Sequence, residues 1–136
     1  MTPFEAYGPA ICVLAIWGLM MIGLSMLSTR GLRPEDRSES GHPKRDYSNP
    51  AYRRHRAFQN AIETSPAFLS TALAAILAGT SPILVNILAG VFLISRIVMA
   101  VVHIQTENQP LRSAAFGFGW LMIIFLALGA LYAALI

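Results

Sequence analysis

The sequence predicts an all-α integral membrane protein, one antiparallel four-helix bundle over residues 1–136. Hydrophobic residues make up 55% of the chain and charged residues 12%, where a soluble domain carries about a quarter charged residues. Four segments (4–27, 57–78, 83–104 and 113–136) reach the length of roughly 20 residues that a bilayer crossing requires. Short breaks at Gly79-Thr80-Ser81-Pro82 and at 105–111 force the helices on either side to run antiparallel. The expected helices cover about 4–28, 50–79, 82–104 and 111–135, with one longer loop over about 29–48.

The first helix is a permanent span and not a cleaved signal. No basic residue precedes its apolar run, the run is too long, and 27–30 offers no small-residue cleavage site. Gly8, Gly18 and Gly23 are expected close-approach points for neighbouring helices. Cys12 is the one cysteine, so an intrachain disulfide is impossible. Its expected place is against lipid or in packing.

Segment 30–48 mixes both charge signs with Pro34, Gly41 and Pro43, and reads as a loop. Eight of the ten Lys and Arg residues lie between Arg30 and Arg56, beside membrane helices. That is the positive-inside pattern and not a nucleic-acid patch. The first and third loops are therefore expected in the cytoplasm and both termini outside it. His42 has no second ligand nearby, so no metal site is expected.

Asn49-Pro50 suits the start of the second helix, Asn49 as cap and Pro50 in the first turn. Pro66 should kink it or loosen a turn. At about 100° per residue, Arg53, Arg56, Asn60 and Glu63 fall within a sector of about 80°. Polar groups entering a bilayer on one stripe must meet partners there, because lipid offers none. Beyond them Ala67, Ser70, Thr71, Ala74 and Ala78 form a small-residue face, expected to pack on another helix.

The tight turn near Thr80 sets relative heights on helices two and three, placing Glu63 level with about residue 98. Arg96 is the charged residue nearest that level, and a Glu63–Arg96 pair, or a ligand bridging them, is expected. Arg96, Met99 and His103 share one stripe. Asn86 lies toward the opposite side, as a helix-start or interhelix contact. The return loop brings Arg112 level with His103. Asn60, Glu63, Arg96, His103, Arg112 and Ser113 thus gather in one layer at the cytoplasmic third of the bundle. Phe116 and Trp120, one turn apart on helix four, can wall an apolar pocket beside Arg112.

An arginine within a membrane helix costs at least about 2.5–3.5 kcal/mol. Three arginines against one glutamate leave surplus positive charge, which suggests an anionic ligand. Guanidinium groups bind carboxylates in paired hydrogen bonds, while Asn and Glu accept amide and ammonium groups. A short zwitterionic peptide with two carboxylates suits the set. A transporter or proton relay is disfavoured, because 84–93 has no ionisable group to continue a path.

The spacing Arg53-x2-Arg56-x3-Asn60-x2-Glu63-x2-Pro66 resembles the second-helix signature of the MAPEG family (membrane-associated proteins in eicosanoid and glutathione metabolism). Arg96 and the Pro110-Leu111-Arg112-Ser113 turn look like the family's third-helix arginine and its entry to the next helix. The resemblance covers nearly the whole chain, which is similar to the bacterial members in lacking added domains. It implies a homotrimer holding glutathione between subunits on the cytoplasmic side. The binding set it implies is Arg53, Arg56, Asn60, Glu63, Arg96, His103 and Ser113, with Arg112 as the catalytic residue that stabilises the thiolate. The implied function is a glutathione-dependent transferase or peroxidase acting on lipophilic electrophiles. The alternative is a non-catalytic member of the fold that binds a lipid or a partner protein. Three departures stand out: His103 replaces a tyrosine common in the family, Phe116 stands near another, and Tyr52 replaces an acidic residue.

Overall fold

The computed structural model describes residues 4–136, so the first three residues of the expected 1–136 domain lie outside the described residues. A 3-10 turn, Glu5–Tyr7, leads into α1, Gly8–Thr29; α2 is Pro50–Leu77, α3 Pro82–Gln105 and α4 Gln109–Leu135. Each helix carries a proline in its first two positions, where the missing N–H and fixed φ suit a helix start. Asn49 Oδ1 accepts the Ala51 N–H at 2.8 Å, and Asn108 Oδ1 accepts that of Leu111 at 3.1 Å; both are side-chain caps. Gly79 just beyond α2 has φ +73°, the left-handed conformation that glycine adopts without strain. The Gly79–Ser81 turn then folds α3 back along α2.

At the centre, α2 packs on α1, α3 and α4, and α3 packs on all three other helices. The Phe68 and Phe92 rings stack at 3.8 Å, and Trp17 sets its edge against both at 6.2 and 5.3 Å. The Trp17 indole N–H donates to Ser65 Oγ at 2.9 Å, so its one polar atom is matched inside the core. A second tie lies at the end remote from the long loop. Tyr7 donates to the Thr80 carbonyl at 2.6 Å, and Thr80 Oγ1 donates to the Gly129 carbonyl at 3.1 Å. Asn86 is an interhelix contact: its Nδ2 donates to the Ala6 carbonyl, and its Oδ1 accepts the Ala10 N–H.

Among the described residues, three helices are long and apolar enough to cross a membrane: Glu5–Thr29, Pro82–Gln105 and Gln109–Leu135. The second helix, counted as a span by length, falls short in hydropathy because its first half carries the polar stripe. Asn60 and Thr64 of that stretch are buried against the other helices, so their polarity is hidden from lipid. The helix continues unbroken through Pro66, although this residue has no N–H to offer the Ile62 carbonyl.

Two packing expectations are not met within the chain. A Cβ on Gly8, Gly18 or Gly23 would meet nothing within 4 Å, so these glycines are not close approaches within the chain; they lie on the open side of α1. The face through Ser70 and Ala74 is exposed. Instead α2 packs through Ala61, Thr64, Phe68, Ala72 and Ala75, a row rotated from the expected one, because Phe68 turns the helix to bury its ring. The long loop has its own order: Lys44 N–H donates to the Asp36 carbonyl at 2.7 Å and Ser38 N–H to the His42 carbonyl at 2.8 Å.

Candidate functional site

The polar residues of α2 gather at the end of the bundle that carries the long loop. Arg56 and Glu63 lie two turns apart on one face and pair at 3.8 Å. Between them Asn60 Oδ1 accepts from Arg56 Nη2 at 3.3 Å. That contact orients the amide, so Asn60 Nδ2 faces His103 Nδ1 at 3.2 Å. The amide nitrogen can only donate, so Nδ1 accepts and the ring proton of neutral His103 sits on Nε2. This Nε2 is buried and has no partner among the described residues; the same holds for Arg112 Nη1. A buried donor left unmatched costs about 1–3 kcal/mol.

Around these groups lies an open cleft of about 390 Å³. Its α2 wall is Arg56, Asn60 and Glu63; α3 contributes His103; α4 contributes Gln109, Arg112, Ser113, Phe116 and Gly117; and the long loop contributes Tyr47. The Arg112 guanidinium lies 4.5 Å from the centre of the Tyr47 ring, a cation–π contact. Tyr47 also meets the edge of Tyr52 at 5.1 Å. Burial, and then the neighbouring Tyr47, raise the Tyr52 phenol above its ordinary value. Phe116 lines the cleft as its apolar wall; Trp120 stands 6.2 Å from it but is exposed and does not line the cleft, so the expected two-ring wall is a single ring.

The MAPEG family model matches residues 8–132. The chain belongs to the MAPEG family. It is thus a multi-pass integral membrane protein and a helical bundle of that family. No curated protein matches the chain.

Six of the eight expected site residues of this MAPEG chain line the cleft: Arg56, Asn60, Glu63, His103, Arg112 and Ser113. Arg96 and Arg53 do not. The expected Glu63–Arg96 pair does not form, since Glu63 pairs with Arg56. Arg96 is fully buried and turns to α4, where Nη2 donates to the Ala115 carbonyl at 2.7 Å and the Phe116 carbonyl at 2.9 Å. The Phe92 and Phe116 rings flank it at 5.6 and 5.3 Å. Asn60 of α2 and His103 of α3 meet, but the direction in which Arg96 turns depends on where α4 leaves room, and Gly119 leaves it.

Arg53 faces the junction of the loop with α3. Its Nε donates to the Ile104 carbonyl at 3.1 Å, and its Nη1 to the Tyr47 carbonyl at 2.8 Å and the Ser48 carbonyl at 3.3 Å. Glu107 stands 3.5 Å away. Arg53 is therefore a clamp on the loop. Tyr47, Gln109 and Gly117 are lining residues that sequence periodicity missed. Tyr47 sits in a loop, where no helical repeat reports direction. Among the described residues no group of three or more His, Cys, Asp or Glu side chains could hold a metal.

Proposed function

We propose that this MAPEG protein binds glutathione in the cleft and uses its thiolate on lipophilic electrophiles, as a transferase or peroxidase. The observation that carries the reading is the pair of unmatched buried donors, Arg112 Nη1 and His103 Nε2, in a cleft whose one carboxylate, Glu63, is already paired with Arg56. Such a site favours an anion with several acceptors. Its volume of about 390 Å³ lies within the range of small-ligand clefts. The Arg56–Glu63 couple offers each sign of charge to the carboxylates and ammonium of a zwitterionic tripeptide, and Asn60 offers an amide.

Arg112 is the candidate catalytic residue. A thiol near pKa 8.5 is mostly protonated at neutral pH, and each unit of lowering corresponds to about 1.4 kcal/mol of thiolate stabilisation. A guanidinium shielded from water can supply that stabilisation. The thiol proton passes to water. With an aryl halide the sulfur then forms a C–S bond as the carbon–halogen bond breaks and halide leaves.

We place the cleft on the cytoplasmic side, supported by the concentration of Lys and Arg at that end. A homotrimer is part of the same reading. It is supported by the exposed apolar rows of α1 (Ile11, Ile16, Leu19, Ile22) and α4 (Ile124, Leu128, Leu131, Leu135) and by the open space over Gly18 and Gly23.

The test is conjugation of a model aryl halide by detergent-purified protein, with Arg112→Ala beside the parent. Turnover in the parent and a loss of about 10-fold or more in the variant is the expected result. No turnover in an intact parent that still binds glutathione would favour a non-catalytic member that holds a lipid or partner protein. Phe116, an apolar wall near a position where the resemblance implies a tyrosine, supports that second reading.

A further inference from the structure

We propose that Tyr47, carried by the long loop, is a positioning residue for Arg112, holding its guanidinium edge-on to the cleft. This rests on the glutathione reading above and adds to it a residue from outside the helices.

The ring is fixed from three directions. Arg53 Nη1 holds the Tyr47 carbonyl at 2.8 Å and the next carbonyl, Ser48, at 3.3 Å, which pins the backbone to α2. Tyr52 meets the ring edge-to-face at 5.1 Å. The Arg112 guanidinium covers its face at 4.5 Å. A guanidinium keeps its five N–H donors in its own plane, so an aromatic ring on one face leaves them all free. It also removes water from that face, which strengthens the field that an anion feels at the edge. Arg112 Nη1, buried and without a partner among the described residues, is such an in-plane donor. Tyr47 thus does for Arg112 what a hydrogen-bonded carboxylate does elsewhere, but without neutralising its charge. The ring is what matters and the hydroxyl is not.

The experiment compares Tyr47→Phe, Tyr47→Leu and Arg53→Ala with the parent in detergent. Ring-current displacement of the Arg112 side-chain N–H resonances, assigned by their loss in Arg112→Lys, reads the stacking without any ligand. Glutathione affinity and the pH midpoint of thiolate formation, followed by ultraviolet absorbance, read its consequence. Y47F should keep the displacement, the affinity and the midpoint. Y47L should lose the displacement, weaken affinity about 2- to 30-fold and move the midpoint upward. R53A, with the ring intact but its backbone released, should reduce the displacement. An unchanged displacement in Y47L would overturn the stacking, whatever glutathione does. A lost displacement with an unchanged midpoint and affinity would reduce Tyr47 to packing and overturn its positioning role. A parent that shows the displacement but binds no glutathione would overturn the ligand reading, and the role with it, while leaving the contact standing.

Discussion

Arg96 and Gly119 occupy one space: a Cβ built on Gly119 would lie 2.6 Å from the Arg96 Cζ and 2.7 Å from its Nε. Glycine at 119 is what admits a charged side chain to the α4 backbone, and Arg96 in turn accounts for the glycine. Ala in place of Gly within a helix ordinarily stabilises by about 1 kcal/mol. Here Gly119→Ala should instead destabilise by about 1–3 kcal/mol, the range for overpacking. Arg96→Met should restore most of the loss in the double variant. Thermal unfolding in detergent of the two single variants and the double one checks this; additive losses would show that the two residues do not share the space.

Asn60 links the charges of α2 to the imidazole of α3. Asn60→Leu removes one acceptor for Arg56, which keeps Glu63, and the donor to His103, leaving the buried His103 Nδ1 unmatched. Glutathione affinity should fall about 10-fold or more, corresponding to about 1.4 kcal/mol or more. Asn60→Asp should not rescue it, because a carboxylate offers no N–H to His103 Nδ1. Titration calorimetry on the three proteins decides the point.

Trp17 is fully buried and hydrogen-bonded to Ser65 against the Phe68–Phe92 stack. Trp17→Phe keeps an aromatic ring but leaves a void and loses the N–H donated to Ser65 Oγ, which still donates to the Ala61 carbonyl, at a cost of about 1–2 kcal/mol. Trp17→Ala should cost about 3–5 kcal/mol. Unfolding midpoints of purified protein check the order.

His55, at the polar start of α2, has its pKa lowered from 6.5 by burial first and then by the positive charge of Arg56 and of His42. The folded protein therefore binds a proton less readily than the unfolded chain. Stability should decline as pH falls below about 6.5 and level off once the pH is below the folded value. His55→Gln should lessen the slope of that limb. Melting temperature measured across the acid range in both proteins tests it, and parallel slopes would exclude His55 as the source.

Much of this architecture is legible in the sequence because bilayer length, proline and capping residues act locally. Asn49, Pro50, Gly79 and Pro82 mark helix ends without reference to the rest of the fold. The polar layer is legible for the same reason: the tight turn at Gly79–Ser81 fixes heights along α2 and α3. What height does not give is direction. Arg96 turns toward Gly119 and not toward Glu63. Arg53 shares the Arg56 stripe, yet it lies a turn nearer the loop, where the Tyr47, Ser48 and Ile104 carbonyls take its donors. Tyr47 lies beyond any periodic reading, since its place follows from loop hydrogen bonds between residues far from any repeat.

The shortfall in the hydropathy of α2 bears on how the protein is made. A segment whose polar side chains are satisfied partly by its neighbours, as Asn60 is by His103, gains little from leaving the translocation channel alone. It should partition into the bilayer together with α1 or α3, as a hairpin. Its capture also bears on parity: three crossings put the two ends of a chain in different compartments, and a fourth puts them in the same one.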